Sequence, residues 1–583
     1  MTTPDQPLRP PDDARHASGP PSTDEPEESS RQAPPEDDAS RFSPSSEPGS
    51  EAPCEPREQA QGASSTASCA TAAAAGGTSA GLRAGTAVVE SRTPARGLVL
   101  VAGVAALAYL PFLGTGRTLT DHEVMVSQPA LQLLEDGQWI VPRYANQWWL
   151  DKPPLINWVT AGFFAAAGGF GEWPARLPAA LSGVGLAVLV AWLGGRLYGA
   201  RSGLWAGLVQ ATIVAGFIQA RLGEIDMPFT LLVTGAHAAL LIGWQRGDWV
   251  LRPVPAALFH LLTALAVLAK GPIGAVLPGL TILGTCSAMR SSRPLRTVLF
   301  TPWIVVFVAI AGGWHVAAYA VAGDEALRQW VYNNLARFAG GHHLGGKGLP
   351  FYFYTVLWLM LPWTFVLIGG ARRLWQDVCR AGASAERFLW AWFIAGFVFL
   401  TISRFKHHQY CLPLLPPLCL LSGRLVVEWI DRWRPHARRI AVGTVAAMLV
   451  AFLVVGGYVM PRRDHRRTTV EFVQALGQHV PAGRTVYVTG LGLSHVYPYL
   501  TYRPIAHLFL PTEIEAVMKD LPEEPLWVLT RRQYVWRAER HGLRVEAIAS
   551  EPPRKKKGVG DQGLVLARIT RAQVPSTAAA GSD

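Results

Sequence analysis

Asp121, His122 and Glu123 follow one another in TLTDHEVMVS, directly after the first long apolar run of the chain. Acids this close to a bilayer must be solvated in a cavity or paired, which makes them candidates for proton transfer, against the plainer reading of an interfacial loop. The same stretch runs through DGQWIVPR to LDKPPLINW, where Lys152 returns positive charge in a rigid proline context. Asp226 lies in RLGEIDMPFT beside Arg221 and Glu224, three residues that could do chemistry or form an ordinary ion-pair cluster. Lys270, in AVLAKGPIGAVLPG, stands between two apolar runs at a Gly-Pro break. A lysine there is costly unless an anion meets it or its stem snorkels to the interface. Farther on, NNLARFAGGHHLGGKG offers Arg337, His342, His343 and Lys347, and SRFKHHQYC offers Arg404, Lys406 and Tyr410. Adjacent histidines point apart on most backbones, so neither His342/His343 nor His407/His408 reads first as a metal site.

Carboxylates that could deprotonate an acceptor thus recur with cations that could hold a phosphate. A general base needs its carboxylate within hydrogen-bond reach of the acceptor. A phosphate leaving group needs cations where its charge develops. The chain has no Gly-rich phosphate fingerprint and no P-loop, which argues against a nucleotide-driven pump. An activated donor on the outer side of a membrane is most simply lipid-linked. The residues alone point to an outer-face enzyme or a transporter.

The elements that must position these groups are membrane spans. Of 583 residues, 50% are hydrophobic and 16% charged, a balance that favours the membrane class. The net charge of +11 conceals an asymmetry, because residues 1–95 carry 15 acidic and 7 basic side chains and the remainder is strongly basic. The basic residues lie scattered between apolar runs and form no stripe, which argues against nucleic acid. The six cysteines, Cys54, Cys69, Cys286, Cys379, Cys411 and Cys419, have no CxxC spacing and read as small buried or incidental thiols.

Apolar stretches long enough for a hydrocarbon core of about 30 Å occur near 97–113, 176–195, 203–221, 228–244, 254–269, 271–288, 298–321, 352–370, 387–402, 409–427 and 439–460. Residues 154–168 are shorter and read as interfacial or as an additional short span. One loop parity collects Arg196 and Arg201, Arg246 and Arg252, Arg290, Arg293 and Arg296, Arg372, Arg373 and Arg380, and the arginines at 432, 434, 438 and 439. By the positive-inside rule that face is cytoplasmic. The outer face then receives loop 114–153, the Arg221–Pro228 turn, Lys270, loop 323–350, the Ser403–Gln409 turn and everything after 461. Trp148, Trp149 and Trp158 fit an interfacial aromatic belt.

Residues 1–94 are rich in Pro, Ser, Ala and Glu and read as a disordered acidic cytoplasmic tail. The body at 95–461 reads as the transmembrane domain. In 462–570, TVYVTG and PLWVLT read as strands, and TVEFVQALGQHV and TEIEAVMKDL as amphipathic helices. These predict a small α/β domain on the outer face, with a basic loop at Arg554–Lys557 and a disordered end at 571–583.

Taken in order, the motifs are specific. DHE with DGQWIVPR and LDKPPLINW, PARLPAALSG, RLGEIDMPFT, LAKGPIGAVLPG, and NNLARFAGGHH with LPFYFYTVLWLMLPW and SRFKHHQYCLPLLPP cover about residues 115–425. This set resembles the bacterial membrane glycosyltransferases of the aminoarabinose-transferase type, related to the dolichyl-phosphate-mannose protein mannosyltransferases. The resemblance implies an all-α polytopic protein of the class C glycosyltransferase fold, with about 11–13 transmembrane helices in the cytoplasmic membrane. It implies transfer of a sugar from a polyprenyl-phosphate donor to a lipid, glycan or protein acceptor, with hydrophobic grooves between spans holding the polyprenyl chain. Asp121, with Glu123 in reserve, and Asp226 would be catalytic. Lys152 and Lys270 would bind the donor phosphate, helped by Arg337 and Lys406. His122, Arg221, Glu224, His342, His343 and Tyr410 are further site candidates. Some proteins of this fold use a divalent metal, although no ligand cluster here demands one. The family's usual Asp-Glu pair aligns with His122-Glu123 and leaves Asp121 one residue early. A non-enzymatic lipid or solute transporter is the rival, and polar residues running through the centres of several spans would favour it.

Overall fold

The computed structural model describes residues 92–571 apart from 116, 145–146, 245–249, 337–346, 381–383 and, beyond 464, the stretches 465–470, 473–474, 482–483, 485, 489–524, 533–542 and 552–562. The described elements fall in one compact unit.

Helix α1 (Ala95–Tyr109) leads into a loop and α2 (Asp121–Asp136), which is capped by Thr120 and closed by Gly137 in the left-handed region (φ +67°). The two-residue strands β1 (Arg143–Tyr144) and β2 (Gln147–Trp148) pair antiparallel and precede α3 (Leu155–Ala166). The helical body continues with α4 (Glu172–Tyr198), α5 (Ala200–Thr212), α6 (Val214–Ala220), α7 (Asp226–Trp244), α8 (Pro253–Lys270) and α9 (Ile273–Met289). It ends with α10 (Arg293–Leu299), α11 (Ile304–Ala322), α12 (Asp324–Val331), α13 (Phe351–Leu359), α14 (Thr364–Cys379), α15 (Ser384–Ile402), α16 (His408–Arg432) and α17 (His436–Arg462). Among the described residues, seven helices are long and apolar enough to cross a membrane, and α1, α3 and α9 are shorter apolar helices. Each apolar run read from the sequence coincides with helix.

Two of those runs are broken. The run at 203–221 bends by 58° between α5 and α6, and the run at 352–370 turns by 110° between α13 and α14, where Pro362 cannot donate to a helix ladder. The two breaks meet. Val214 N–H donates to the Leu361 carbonyl at 3.1 Å, and Trp363 Nε1 donates to Thr212 Oγ1 at 2.9 Å. Polar groups freed by each break are therefore satisfied at the other, as a water-poor interior requires.

Small residues set the central packing. A methyl group added at Gly203 of α5 would lie 2.4 Å from the Ala191 carbonyl oxygen of α4, and one at Gly423 of α16 would lie 2.4 Å from Ala206 N. Such backbone approach lets dispersion hold helices together where no hydrophobic effect drives them. Beneath α7, His237 stacks on Trp392 at 4.1 Å and hydrogen-bonds Thr281 at 2.8 Å.

Beyond α17, strands β3 (Val486–Val488), β4 (Leu526–Arg531), β5 (Leu543–Ser550) and β6 (Leu564–Arg571) form one sheet in the order β3-β4-β6-β5. The β3–β4 pair is parallel and the other pairs are antiparallel, with a bulge at Ala547/Ala549. TVYVTG and PLWVLT are thus strands as expected, whereas TEIEAVMKDL and Arg554–Lys557 lie outside the described residues. The sheet packs through Leu529, Leu564 and Leu566 with Val124 and Ala130 of α2 and Phe164 of α3. That contact roots α2, and the acids at its start, between the helical body and the C-terminal domain.

Candidate functional site

The acid loop is built around Glu123. The Thr120 hydroxyl accepts the Glu123 N–H at 3.3 Å while the Glu123 carboxylate accepts the Thr120 N–H at 2.7 Å, a reciprocal cap on α2. The same carboxylate receives Arg176 Nε at 2.7 Å, Arg117 Nη2 at 3.2 Å and the Gly223 N–H at 3.0 Å. Arg176, buried in α4, also donates to the carbonyls of Leu113 (2.6 Å), Arg117 (2.9 Å) and Thr118 (3.1 Å). Burial alone would raise the Glu123 pKa, but Arg176, Arg117 and the Gly223 N–H bring it down to about 2. Both of its oxygens are occupied. The pair fastens the turn after α1, the start of α2 and the turn before α7 into one unit. Asp464 closes the same unit from the end of α17, accepting Thr118 N–H at 2.7 Å and Thr118 Oγ1 at 2.9 Å.

Asp226 opens α7, where a carboxylate suits the positive end of the helix dipole. Its Oδ1 forms an ion pair with Lys270, the last residue of α8. Gly271 adopts φ +84°, a conformation a side chain would resist, and with Pro272 it ends α8 so that the lysine is presented at the turn. Lys270 Nζ lies 5.2 Å from the Phe229 ring centroid and 4.7 Å from that of Tyr410. Glu224 is buried between Asp226 and Glu123, and burial together with those two acids raises its pKa.

Asp121 and His122 stand half-exposed and exposed at the first turn of α2. The His122 ring approaches His407 at 6.2 Å, and His407 lies 5.4 Å from Tyr410. Burial, then the positive charge of Lys347, lowers the His407 pKa to about 4. The α2 acids, the α7 acids, Lys270 and the turn before α16 therefore share one end of the helical body. From that end a groove of about 360 Å³ runs between helices. Lys152, Lys270 and Tyr410 lie at its polar side, and Phe229, Val276 and Phe399 are among its apolar walls.

The structure therefore gathers Asp121, His122, Glu123, Lys152, Glu224, Asp226, Lys270 and Tyr410 at the same end of the body. Arg337, His342 and His343 lie outside the described residues. Arg221 is near the acid loop but is turned to the carbonyls of Tyr109 (3.1 Å), Pro111 and Phe112 (3.3 Å), where it caps the end of α1. The Arg221–Glu224–Asp226 ion-pair cluster open from the sequence does not form, because Asp226 is taken by Lys270. Lys406 is buried with its ammonium on the Ser403 carbonyl and does not line the groove. Sequence reasoning missed the part played by Arg176. The rule that flagged Lys270, a cation within apolar sequence, applies equally to Arg176 in PARLPAALSG.

Among the described residues no group of three or more His, Cys, Asp or Glu side chains is placed to hold a metal. Asp226 is engaged by Lys270 and Glu123 by two arginines, so these carboxylates do not fit a divalent ion.

The architecture, a polytopic helical body with a polar site at one end and an appended sheet, is one that solved membrane proteins share. Superposition on a crystal structure of ArnT from Cupriavidus metallidurans bound to undecaprenyl phosphate gives a TM-score of 0.65 at 18% identity, covering 81% of this chain and 98% of that one. Residues 151–314 match the family described as dolichyl-phosphate-mannose-protein mannosyltransferase. An undecaprenyl phosphate-alpha-4-amino-4-deoxy-L-arabinose arabinosyl transferase of Pseudomonas savastanoi pv. phaseolicola is 28% identical over 57% of this chain. A second transferase of that name, from Pseudomonas fluorescens, is 27% identical over 63% of the chain. The chain spans 62% and 67% of the lengths of these two relatives. These likenesses bear out the resemblance carried by the ordered motifs.

Proposed function

We propose that the protein is a glycosyltransferase that moves a sugar from a polyprenyl-phosphate donor to a hydroxyl or phosphate of a lipid, glycan or protein. The observation that carries this reading is the groove itself, apolar along its length and bearing Lys152 and Lys270 at the end where the acids gather. An isoprenoid chain fits the apolar walls, and its phosphate meets the two ammonium groups. Asp121 takes the acceptor proton as the acceptor oxygen attacks the anomeric carbon. The bond from that carbon to the phosphate oxygen breaks, the electron pair leaves with polyprenyl phosphate, and the sugar inverts. The lysines stabilise the charge gathering on that phosphate. Glu123 acts through position, holding the α2 acids against the turn that carries Glu224 and Asp226.

The loop arginines favour an outer location for this end of the molecule and for the domain at 462–570, with the 1–94 tail in the cytoplasm and the 95–461 body in the membrane. The sugar named for the curated relatives, 4-amino-4-deoxy-L-arabinose, is the first donor to try.

The test reconstitutes wild type, Asp121→Asn and Lys270→Met in liposomes with radiolabelled polyprenyl-phosphate sugars and a panel of acceptors. Transfer by wild type, with polyprenyl phosphate released and transfer lost in folded Asp121→Asn, supports the assignment. Equal activity in Asp121→Asn moves the base to another carboxylate. Movement of lipid or solute across the bilayer without any transfer overturns the enzyme reading in favour of a transporter.

A further inference from the structure

A second groove, larger than the first, lies at the other end of the helical body. Its volume is about 660 Å³, and it is bounded by α14, the last turns of α16 and the first turns of α17. Tyr410 and Arg432 mark the two ends of α16, which at 1.5 Å per residue places them roughly 30 Å apart. The second groove therefore opens at the bilayer face opposite the lysine-bearing groove. Phe365, Val366, Ile440 and Ala441 form its apolar wall, while Arg432 and His436 stand at its mouth.

The charge at that mouth is one-sided. Arg432, Arg434, His436, Arg438 and Arg439 are all exposed. The nearby acid Asp431 is already engaged by Arg201 at 2.8 Å and Arg434 at 3.1 Å. On the side of α14 the acids are also taken, since Asp377 and Glu428 are held by Arg424 at 2.7 and 3.1 Å. Among the described residues Arg432, Arg438 and Arg439 thus face the headgroup region without a carboxylate partner. Trp429 and Trp433 flank the mouth at the level where indoles anchor at a membrane surface. Helix α17 leans on the body lightly, with most of its apolar surface left exposed.

We propose that this groove is a binding site for an anionic phospholipid of the leaflet opposite the lysine-bearing groove, with an acyl chain against Phe365, Ile440 and Ala441 and the phosphodiester on Arg432 and His436. Basic pockets between helices hold acidic headgroups through charge-assisted hydrogen bonds, which a zwitterionic lipid satisfies less well because its ammonium opposes the same arginines. The bound lipid would bridge α14, α16 and α17.

The test uses the full-length protein in nanodiscs of phosphatidylcholine with and without phosphatidylglycerol, followed by native mass spectrometry after release into detergent. The expected result is one retained phosphatidylglycerol, with retention reduced about tenfold or more in the Arg432→Gln/His436→Gln pair. Ala441→Trp, which fills the groove and leaves every charge in place, is expected to lose the lipid as well. Wild type retaining phosphatidylcholine equally well, or either variant retaining phosphatidylglycerol, overturns the proposal. A mass of twice the chain in every lipid overturns it too, because a second copy would then cover the groove.

Discussion

Replacing Glu123 by Gln isolates the energy stored in the buried fastening of the acid loop. In the folded protein its pKa falls from an ordinary 4.5 to about 2. At 1.36 kcal/mol per unit the ionised form is favoured by about 3 kcal/mol relative to the unfolded chain. That agrees with the roughly 3–5 kcal/mol lost when one partner of a buried ion pair is removed. Gln also offers one acceptor oxygen where the carboxylate offers two, so it cannot serve Arg176, Gly223 and Thr120 together. The sign fixes the pH window. Because the folded pKa is depressed, the contribution is complete above pH 4.5 and is lost as pH falls toward 2. Unfolding in mixed micelles of rising SDS content should show Glu123→Gln about 3 kcal/mol less stable than wild type at pH 7, with the gap narrowing below pH 4.5. A Glu123→Gln variant within about 1 kcal/mol of wild type at pH 7 would refute the fastening role.

Lys270→Met should weaken binding of fluorescent polyprenyl phosphate by about 10- to 100-fold, the worth of one charge-assisted contact; unchanged binding would remove Lys270 from the phosphate site. Asp226→Asn should do the opposite, tightening polyprenyl phosphate and slowing its release, measured as a lower kcat with a lower product inhibition constant. His407 titrates with its pKa lowered to about 4 amid Lys347, His122 and His408. Stability should therefore fall as pH drops from about 6.5 toward 4, because the unfolded chain binds that proton more readily. His407→Gln should flatten that part of the thermal-midpoint profile, and an unaltered profile would deny His407 the role.

The spans were legible because a bilayer demands long apolar runs, and those runs recur throughout the body at 95–461. Lys270 was legible for the same reason, as a charge that the solvent could not excuse. Its partner was not, because Asp226 lies 44 residues earlier and only the packing of α7 against α8 brings the two together. Glu123 stood in reserve behind Asp121, since a spacing of two residues in sequence does not by itself say which acid is buried. Rotation by about 100° per residue around α2 sends the two acids in different directions, Glu123 to Arg176 and Asp121 toward the surface. The breaks at Ile213 and Pro362 were hidden for another reason. Each looks like a defect alone, and only the hydrogen bonds joining them make both tolerable. Strands β5 and β6 were missed even though Gly542, Pro552 and Pro553 bracket LRVEAIAS and Gly563 precedes LVLARITR.

The pairing of Asp226 with Lys270 bears on how such a site turns over. A groove lined by two unpaired lysines would bind a phosphate lipid tightly both before and after reaction. Uniform binding of that kind deepens the ground state as much as the transition state and gains no rate. With Asp226 sharing Lys270, an incoming phosphate must compete for the ammonium, and the resting lysine never stands uncompensated in an apolar setting. The phosphate's claim is strongest when the sugar bond is breaking and charge is gathering on its oxygens. On the function proposed, Asp226 would then reclaim the lysine once the sugar has left and help the product out. The same argument makes Asp226 a poor general base. An ammonium on its Oδ1 holds the Asp226 carboxylate in its charged state against an incoming proton, whereas Asp121, half-exposed at the start of α2, is the base the proposed function assigns.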